Sequence, residues 1–257
     1  MHGRGHKQAK AHLRFMRTRL GRLIRDIERK IADDPVRMKA LGKVLERART
    51  IHGQQPGDTR KLYAFHAPEV ECIGKGKART RYEFGVKASL ATTNERCKGG
   101  QFVLGALSLP GNPGACPRAG RRPDPGDGHT LGNQLDQVAR VTGRKPARVY
   151  VDRGYRGHGV DREGVEVHVS YTRGIVSPTI RRELRRRNAI EPVIGHMKQD
   201  GHLERNALKG CDGDAINVLL CAIGHNFRLL LAWFRQLLLL ILAAILFPSS
   251  APHLRVA

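Results

Sequence analysis

The sequence predicts an α/β protein in which a mixed β-sheet is covered by helices. Alternating apolar and polar residues, typical of strands, fill the middle of the chain. Apolar residues at three- and four-residue steps, typical of helices, precede and follow them. The resulting order is helices, three strands, a helix, two strands and helices, which is characteristic of an α/β fold. A chain of 257 residues is long enough to bury its own core.

A basic helical segment is predicted at residues 1–55. Between Lys7 and Ala48 apolar residues recur with helical spacing, and many Arg and Lys lie between them. Gly53 to Asp58 then break the pattern. Two interpretations stay open on charge alone: a solvated amphipathic hairpin, or a helical pair that turns its basic face toward DNA.

The first three strands are predicted between residues 61 and 109. Residues 61–73 supply the first strand, and 82–109 resemble a β-hairpin because two apolar runs flank a KGG turn. Residues 110–128 contain five prolines and five glycines and must be a loop.

The second half of the chain begins with a predicted helix at 130–142. Strands follow at 148–152 and 165–171, and from Pro178 onward the pattern is helical. A C-terminal apolar helix is predicted at 212–247. Within it only 11 apolar residues, Leu237 to Phe247, are uninterrupted, about half of what a bilayer span needs. We therefore expect this helix to pack on the core or on a partner, with the stripe Ile216, Leu220, Ile223, Phe227 and Leu230 turned inward, and expect no membrane contact.

The charge of the chain predicts a polyanionic partner. There are 46 Lys and Arg against 23 Asp and Glu, a formal net charge of +23. Clustered cations release counterions from phosphates, and arginine runs such as RRELRRR favour nucleic acid over a membrane surface.

Cysteine usage and the N-terminus predict a cytoplasmic protein. The five cysteines are odd in number and form no CxxC pair, which argues against a disulfide framework or a zinc ribbon. The first twenty residues carry positive charge without the apolar run of a signal peptide.

Two acidic residues stand where functional groups gather in α/β folds. Asp152 ends the strand RVYVD, and Gly154 and Gly157 let the chain turn away from it. A purely structural role, in which Asp152 accepts backbone N–H bonds in a turn, is an equal alternative. Glu191 is expected in the first helical turn, where it could also form a capping box with Asn188.

Several blocks together resemble the DDE transposases of bacterial insertion sequences, in the group named for insertion sequence five. They occur in a fixed order, and the resemblance extends from about residue 60 to 235. The blocks are LYAFHAPEVECIGKGKA, YEFGVKASLATT, LPGNP, DGHTL, VYVDRGYRGH and RRELRRRNAIEPVIGHMKQD.

The resemblance implies a ribonuclease-H-like catalytic domain at 60–210 that cleaves and joins DNA strands at insertion-sequence ends. Three carboxylates would hold two divalent ions, Mg²⁺ or Mn²⁺, about 4 Å apart. Asp152 matches the second acid and Glu191 the third. The implied partners are insertion-sequence ends, target duplex and further copies of the chain, with no small-molecule substrate.

The first acid has three candidates in the sequence. Glu69 and Glu71 lie on one face of the predicted first strand. We favour Glu71 because it is nearer the KGKA block, and Asp127 in DGHTL is the rival. Glu71, Asp152 and Glu191 are thus the expected catalytic and metal-binding set.

The expected DNA contacts are basic residues close to these acids: Arg187, Lys198, Lys75, Lys77, Arg153 and Arg156. Arg187, Glu191 and Lys198 fit a spacing shared by the family, but Leu184 stands where the family has tyrosine. Residues 114–126 also intrude between GNP and DGHTL. Both departures keep an alternative open, namely a catalytically inactive, basic DNA-binding remnant of a transposase.

Overall fold

The structure is a computed structural model that describes residues 3–58, 61–74, 82–110, 130–170 and 177–247. The chain divides into two compact units, Met1–Gly85 and Val86–Ala257. The predicted loop at 110–128 lies outside the described residues except for Pro110, which is in a turn.

The first unit begins with an antiparallel pair of helices. Asp34 caps the second helix by accepting hydrogen bonds from the amides of Val36 and Arg37 at 3.1 and 3.0 Å, as an N-cap aspartate does. The two helices are α1 (Gly3–Ile31) and α2 (Pro35–Gly53).

The two helices pack through small and aliphatic side chains. Ile24 and Ile31 of α1, and Leu45 and Ala48 of α2, are buried. Gly21 allows the closest approach, because a Cβ at that position would lie 2.6 Å from His52 Nε2. The N-terminal half of α1 is different, since its apolar stripe stays exposed at Leu13 and Met16.

The first unit ends with two short antiparallel strands, β1 (Glu71–Gly74) and β2 (Tyr82–Gly85). Glu71 pairs with Gly85, and Gly74 pairs with Tyr82. The predicted first strand, 61–73, is therefore realised only at its end.

The second unit contains one antiparallel and one parallel strand pair. The predicted hairpin forms, but its first strand is split at Val86 because Gly85 adopts φ +145°, a conformation unsuited to a regular strand. The strands are β3 (Lys87–Thr92) with β4 (Val103–Leu109), antiparallel, and β5 (Arg148–Val151) with β6 (Glu166–Val169), parallel.

The expectation of one continuous mixed sheet is not met among the described residues. Hydrogen bonds there join the six strands only two by two. Both strand directions are nevertheless present, and helices lie against the strands of the second unit, so the α/β class is confirmed.

Four helices complete the described part of the second unit, and all of them were predicted as helical from sequence. They are α3 (Leu131–Thr142), α4 (Pro178–Arg186), α5 (Ile190–Gln199) and α6 (Gly210–Leu246). Short 3₁₀ turns occur at Arg153–Tyr155 and at Arg187–Ala189, where the second joins α4 to α5.

Two apolar clusters form the core of this unit. In the first, Val103 and Ala106 of β4 pack with Val193 and Met197 of α5 and with α6. Met197 is fully buried. The second lies between α3 and the parallel pair and is built on Leu131, Leu135 and Val151.

Helix α6 buries a different face from the one that its sequence pattern suggested. Its core-facing residues are Val218, Cys221, Ala222, His225 and Leu229. The predicted inward stripe lies opposite, and Ile216, Leu220, Ile223 and Phe227 are exposed. Both faces are apolar, so the periodicity alone could not distinguish them.

The C-terminal part of α6 is helical as predicted, as far as Leu246, but it does not pack on the other residues that the structure describes. Leu237 to Phe247 are all exposed. The helix is long and apolar enough to cross a membrane, with an 18-residue window of mean hydropathy 2.4 that is 6% buried. A single helix of this kind establishes neither a membrane nor a cytoplasmic location. The expectation that the tail packs on the core is thus corrected, whereas packing on a partner stays a prediction.

Candidate active site

Asp152 directly follows β5, at the carboxyl end of the parallel strand pair. Its backbone remains extended at φ −79° and ψ 177°, and its Oδ1 accepts a hydrogen bond from the Gly154 amide at 3.0 Å. This is the turn-stabilising role that the sequence left open. The side chain is also exposed, so the carboxylate remains accessible to a ligand.

Strand alternation places Asp152 on a defined face. Because successive side chains of an extended chain point to opposite faces, Arg148, Tyr150 and Asp152 share one face of β5. Val149 and Val151 point the other way, into the cluster with α3. The face that carries Asp152 is therefore the one turned away from α3.

The same face of β5 is bound to α4 by Glu183. Arg148 reaches both carboxylate oxygens of Glu183, with Nη2 to Oε1 and Nε to Oε2 each at 3.1 Å. The hydroxyl of Tyr150 donates a short hydrogen bond to the same carboxylate. The Glu183 side chain is only 16% exposed. This bidentate, partly buried contact fixes α4 against the strand that leads to Asp152.

The contact changes the pKa of both acidic partners. The hydrogen bond from Tyr150 is the main reason that the pKa of Glu183 is lowered; the charge of Arg148 adds to this effect, and burial opposes it. Burial, followed by the hydrogen bond to Glu183, raises the pKa of Tyr150 to about 12. At neutral pH the pair is therefore a carboxylate that accepts from a protonated phenol.

Two side chains of the β3–β4 hairpin also anchor the α4 segment. Asn94 Nδ2 donates to the Glu183 carbonyl at 3.1 Å, and Gln101 Nε2 donates to the Arg186 carbonyl at 3.4 Å. These bonds hold the last turn of α4, from which the chain enters α5.

Glu191 lies in the first turn of α5, as predicted, and is exposed. Val193 and Met197 anchor the opposite face of that helix in the core. The expected capping box is wrong, because the N-cap residue is Ala189 and makes no side-chain cap bond. Asn188 belongs to the 3₁₀ turn, which continues α4 into α5 without the extended residue that a capping side chain requires.

The expected DNA contacts are partly described. Arg153 and Arg156 are exposed in the turn after Asp152, and Lys198 is half-buried on α5. Arg187 Nη2 donates to Asn188 Oδ1 at 3.3 Å, while its buried Nε has no hydrogen-bond partner among the described residues. Lys75 and Lys77 lie outside the described residues.

Two of the three candidates for the first acid, Glu69 and Glu71, belong to the first unit, whereas Asp152 and Glu191 belong to the second. Glu71 begins β1 in the first unit, and Glu69 precedes that strand without being part of it. Asp127 lies outside the described residues. The choice among the three therefore stays a prediction.

The oxygen donors suit a hard divalent cation. Asp152 and Glu191 are exposed carboxylates, the ligand type that Mg²⁺ and Mn²⁺ prefer. Across the described ranges, no group of three or more His, Cys, Asp or Glu is arranged to hold a metal ion. The donor chemistry fits, and a third ligand is not identified.

Sequence reasoning missed the Arg148–Tyr150–Glu183 cluster. The alternation in RVYVD was sufficient to put Arg148 and Tyr150 on the face of Asp152, but nothing in RRELRRR distinguished Glu183 from a solvated helix residue. The sequence feature that could have singled out Glu183 is that it is the one acid of α4, among four arginines.

Comparison with protein families, curated proteins and solved structures finds no match for this chain.

Proposed function

We propose that this chain is a DDE-type transposase, an enzyme that cleaves DNA at insertion-sequence ends and joins it to a target with the help of Mg²⁺ or Mn²⁺. The proposed catalytic domain is ribonuclease-H-like. The proposal rests on the ordered sequence blocks that resemble this family. One structural observation supports it most directly: Glu183 ties the strand that precedes Asp152 to the helical segment that precedes Glu191.

Both proposed acids lie close in sequence to the residues that make the Glu183 contact. Asp152 is two residues beyond Tyr150 on the same strand face, and Glu191 is eight residues beyond Glu183, at the start of the next helix. The contact thus joins the two elements that lead to the acids. Asp152 is exposed at the end of β5, and Glu191 is exposed at the start of α5. Two acids delivered from separate elements are what a metal-dependent phosphoryl transfer site requires.

In this proposal Asp152, Glu191 and Glu71 hold the divalent ions. The metal supplies charge that activates the attacking oxygen and stabilises the leaving oxygen of the phosphodiester. The protein supplies carboxylate positions and cations that bind the strand. Arg187 would bind a phosphate, because its buried Nε lacks a partner among the described residues and a guanidinium is suited to phosphate recognition.

Basic surfaces in both units support DNA as the partner. Helix α4 exposes Arg181, Arg182 and Arg185, and its single acid is already paired with Arg148. In α1, Lys7, Arg14, Arg22 and Arg25 are exposed, and their spacing places them along one face of the helix. Such stripes bind phosphate backbones without reading the sequence.

The decisive experiment neutralises the two acids in the full-length protein. Asp152→Asn and Glu191→Gln keep the side-chain shape and remove the charge that a divalent ion needs, so cleavage of insertion-sequence ends should fall more than about a hundredfold. Glu71→Gln should behave alike, and Glu69→Gln should be mild. DNA binding at fixed salt should barely change.

The matched control neutralises Asp161 and Glu163, two exposed acids in the connection from β5 to β6. Asp161→Asn with Glu163→Gln removes the same two charges from the same unit and should leave cleavage unchanged. Undiminished cleavage after neutralisation of both Asp152 and Glu191 would refute the carboxylate mechanism.

A second function, DNA binding without cleavage, is favoured by two observations. The Gly154 amide donates a hydrogen bond to Asp152, and Leu184 stands where the family has tyrosine. Both fit a remnant that binds DNA without cutting it, because Asp152 already has a structural role. Salt-dependent DNA binding by the unmodified protein, without cleavage in either Mg²⁺ or Mn²⁺, would establish this alternative.

A further inference from the structure

We propose that two copies of this chain associate along α6, through an apolar seam on the side of the helix that faces away from its own core. The inference does not depend on the proposed catalytic activity. It rests on the spacing of the seam, on its exposure and on the position of the polar residues beside it.

The seam follows a strict heptad pattern. Starting at Ile216, apolar residues recur at alternating steps of four and three for 28 residues, or four heptads. The first half of the seam is Ile216, Leu220, Ile223 and Phe227. The second half is Leu230, Phe234, Leu237, Ile241 and Ala244. A 3.5-residue period sustained over this length is the pattern of paired helices, whereas packing on a globular core requires only the local 3.6-residue period.

The described residues leave most of this seam uncovered, and Leu230 is half-buried. The residues that attach α6 to β4 and α5, Val218, Cys221 and Ala222, lie on the opposite side of the helix. On the seam Phe227 is 58% and Phe234 is 64% exposed. A helix that used only one apolar face for its core would carry polar residues here.

The exposed area is sufficient for a stable dimer. Thirteen large apolar side chains of α6, on the seam or at the positions directly beside it, are each more than a third exposed. With roughly 150–250 Å² for a large ring side chain, they present on the order of 1,000 Å² of apolar surface. Monomeric proteins rarely expose a patch of more than about 600 Å², and a standard interface buries about 800 Å² on each partner.

The polar residues favour a second copy over a lipid bilayer. Arg228, Arg235 and Gln236 interrupt the apolar sequence, yet all three lie off the seam, at heptad positions that remain in water when two helices pair. In a bilayer the Arg235 guanidinium would be placed inside the apolar window, where charge is costly. The seam itself contains no charge, so identical copies can pair about a two-fold axis without repulsion.

The test measures the mass of the full-length protein by sedimentation velocity at several concentrations. The wild type should be dimeric or larger. Phe227→Glu with Phe234→Glu places two carboxylates on the seam and should shift the protein to monomer. Circular dichroism should show that helix content is retained.

The control carries the same two charges off the seam. Leu239 and Leu246 are exposed at 56% and 67% on the outer side of the predicted pair, so Leu239→Glu with Leu246→Glu should leave association intact. A monomeric wild type would overturn the proposal, as would equal dissociation of the control. Flotation of the wild type with phosphatidylcholine vesicles, lost equally in both variants, would instead assign the helix to lipid and also overturn it.

Discussion

The side chain of Asn226 in α6 makes two hydrogen bonds to the backbone of β4, as a neighbouring strand would. Removing this side chain should measurably destabilise the contact between α6 and β4. The Oδ1 of Asn226 accepts from the Val103 amide at 2.9 Å, and its Nδ2 donates to the Val103 carbonyl at 2.8 Å. Val103 is a buried core residue. Asn226→Ala therefore leaves one donor and one acceptor of the backbone without partners in a site with little access to water.

The expected cost follows from these two groups. Each buried polar group that loses its partner costs about 1–3 kcal/mol, and the better helix propensity of alanine returns roughly 0.5 kcal/mol. For two such groups we therefore expect the free energy of unfolding to fall by about 1.5–5.5 kcal/mol.

Trp233 makes the junction observable. It is the single tryptophan of the chain, its ring packs edge-on against Phe102 at 5.2 Å, and its Nε1 donates to the Lys98 carbonyl at 2.9 Å. Urea unfolding followed by Trp233 fluorescence thus reports on the contact between α6 and the start of β4. Gln236→Ala removes an exposed amide from the same helix and is the control, with an expected change below about 0.5 kcal/mol. A loss for Asn226→Ala no larger than that of the control would refute the reasoning.

Two further predictions concern DNA binding and ionisation. Affinity for duplex DNA should fall steeply between low and physiological salt, because a chain of net charge +23 neutralises several phosphates; a salt titration that is flat would contradict this. Tyr150 should ionise near pH 12 in an absorbance titration, and Tyr150→Phe should remove that late step. Since this pKa is raised above the ordinary value of 10.0, the stabilisation from the phenol is complete below about pH 10 and is lost as the pH rises toward 12; titration of every tyrosine near pH 10 would contradict the contact.

Local patterns were sufficient for most helices and for the positions of Asp152 and Glu191. The helix at 130–142 begins one residue later than predicted, at Leu131, and Glu191 occupies the helical turn expected for it. Asp152 directly follows the expected strand. These features depend on spacing and on residue type within a few residues, which the sequence contains directly. The transposase resemblance, the metal ligands and the DNA contacts remain predictions.

Only the tertiary structure determined which face of each element is buried and which residues that face contacts. The stripe from Ile216 to Leu230 has correct helical spacing, yet α6 buries Val218 and His225 on its other face, because β4 and α5 pack there. From sequence alone, Glu183 resembles any charged residue of an exposed helix. In the structure its carboxylate contacts Arg148 and Tyr150. Periodicity fixes which residues share a face, but long-range packing determines which face is buried, and those contacts join residues that lie far apart in the chain.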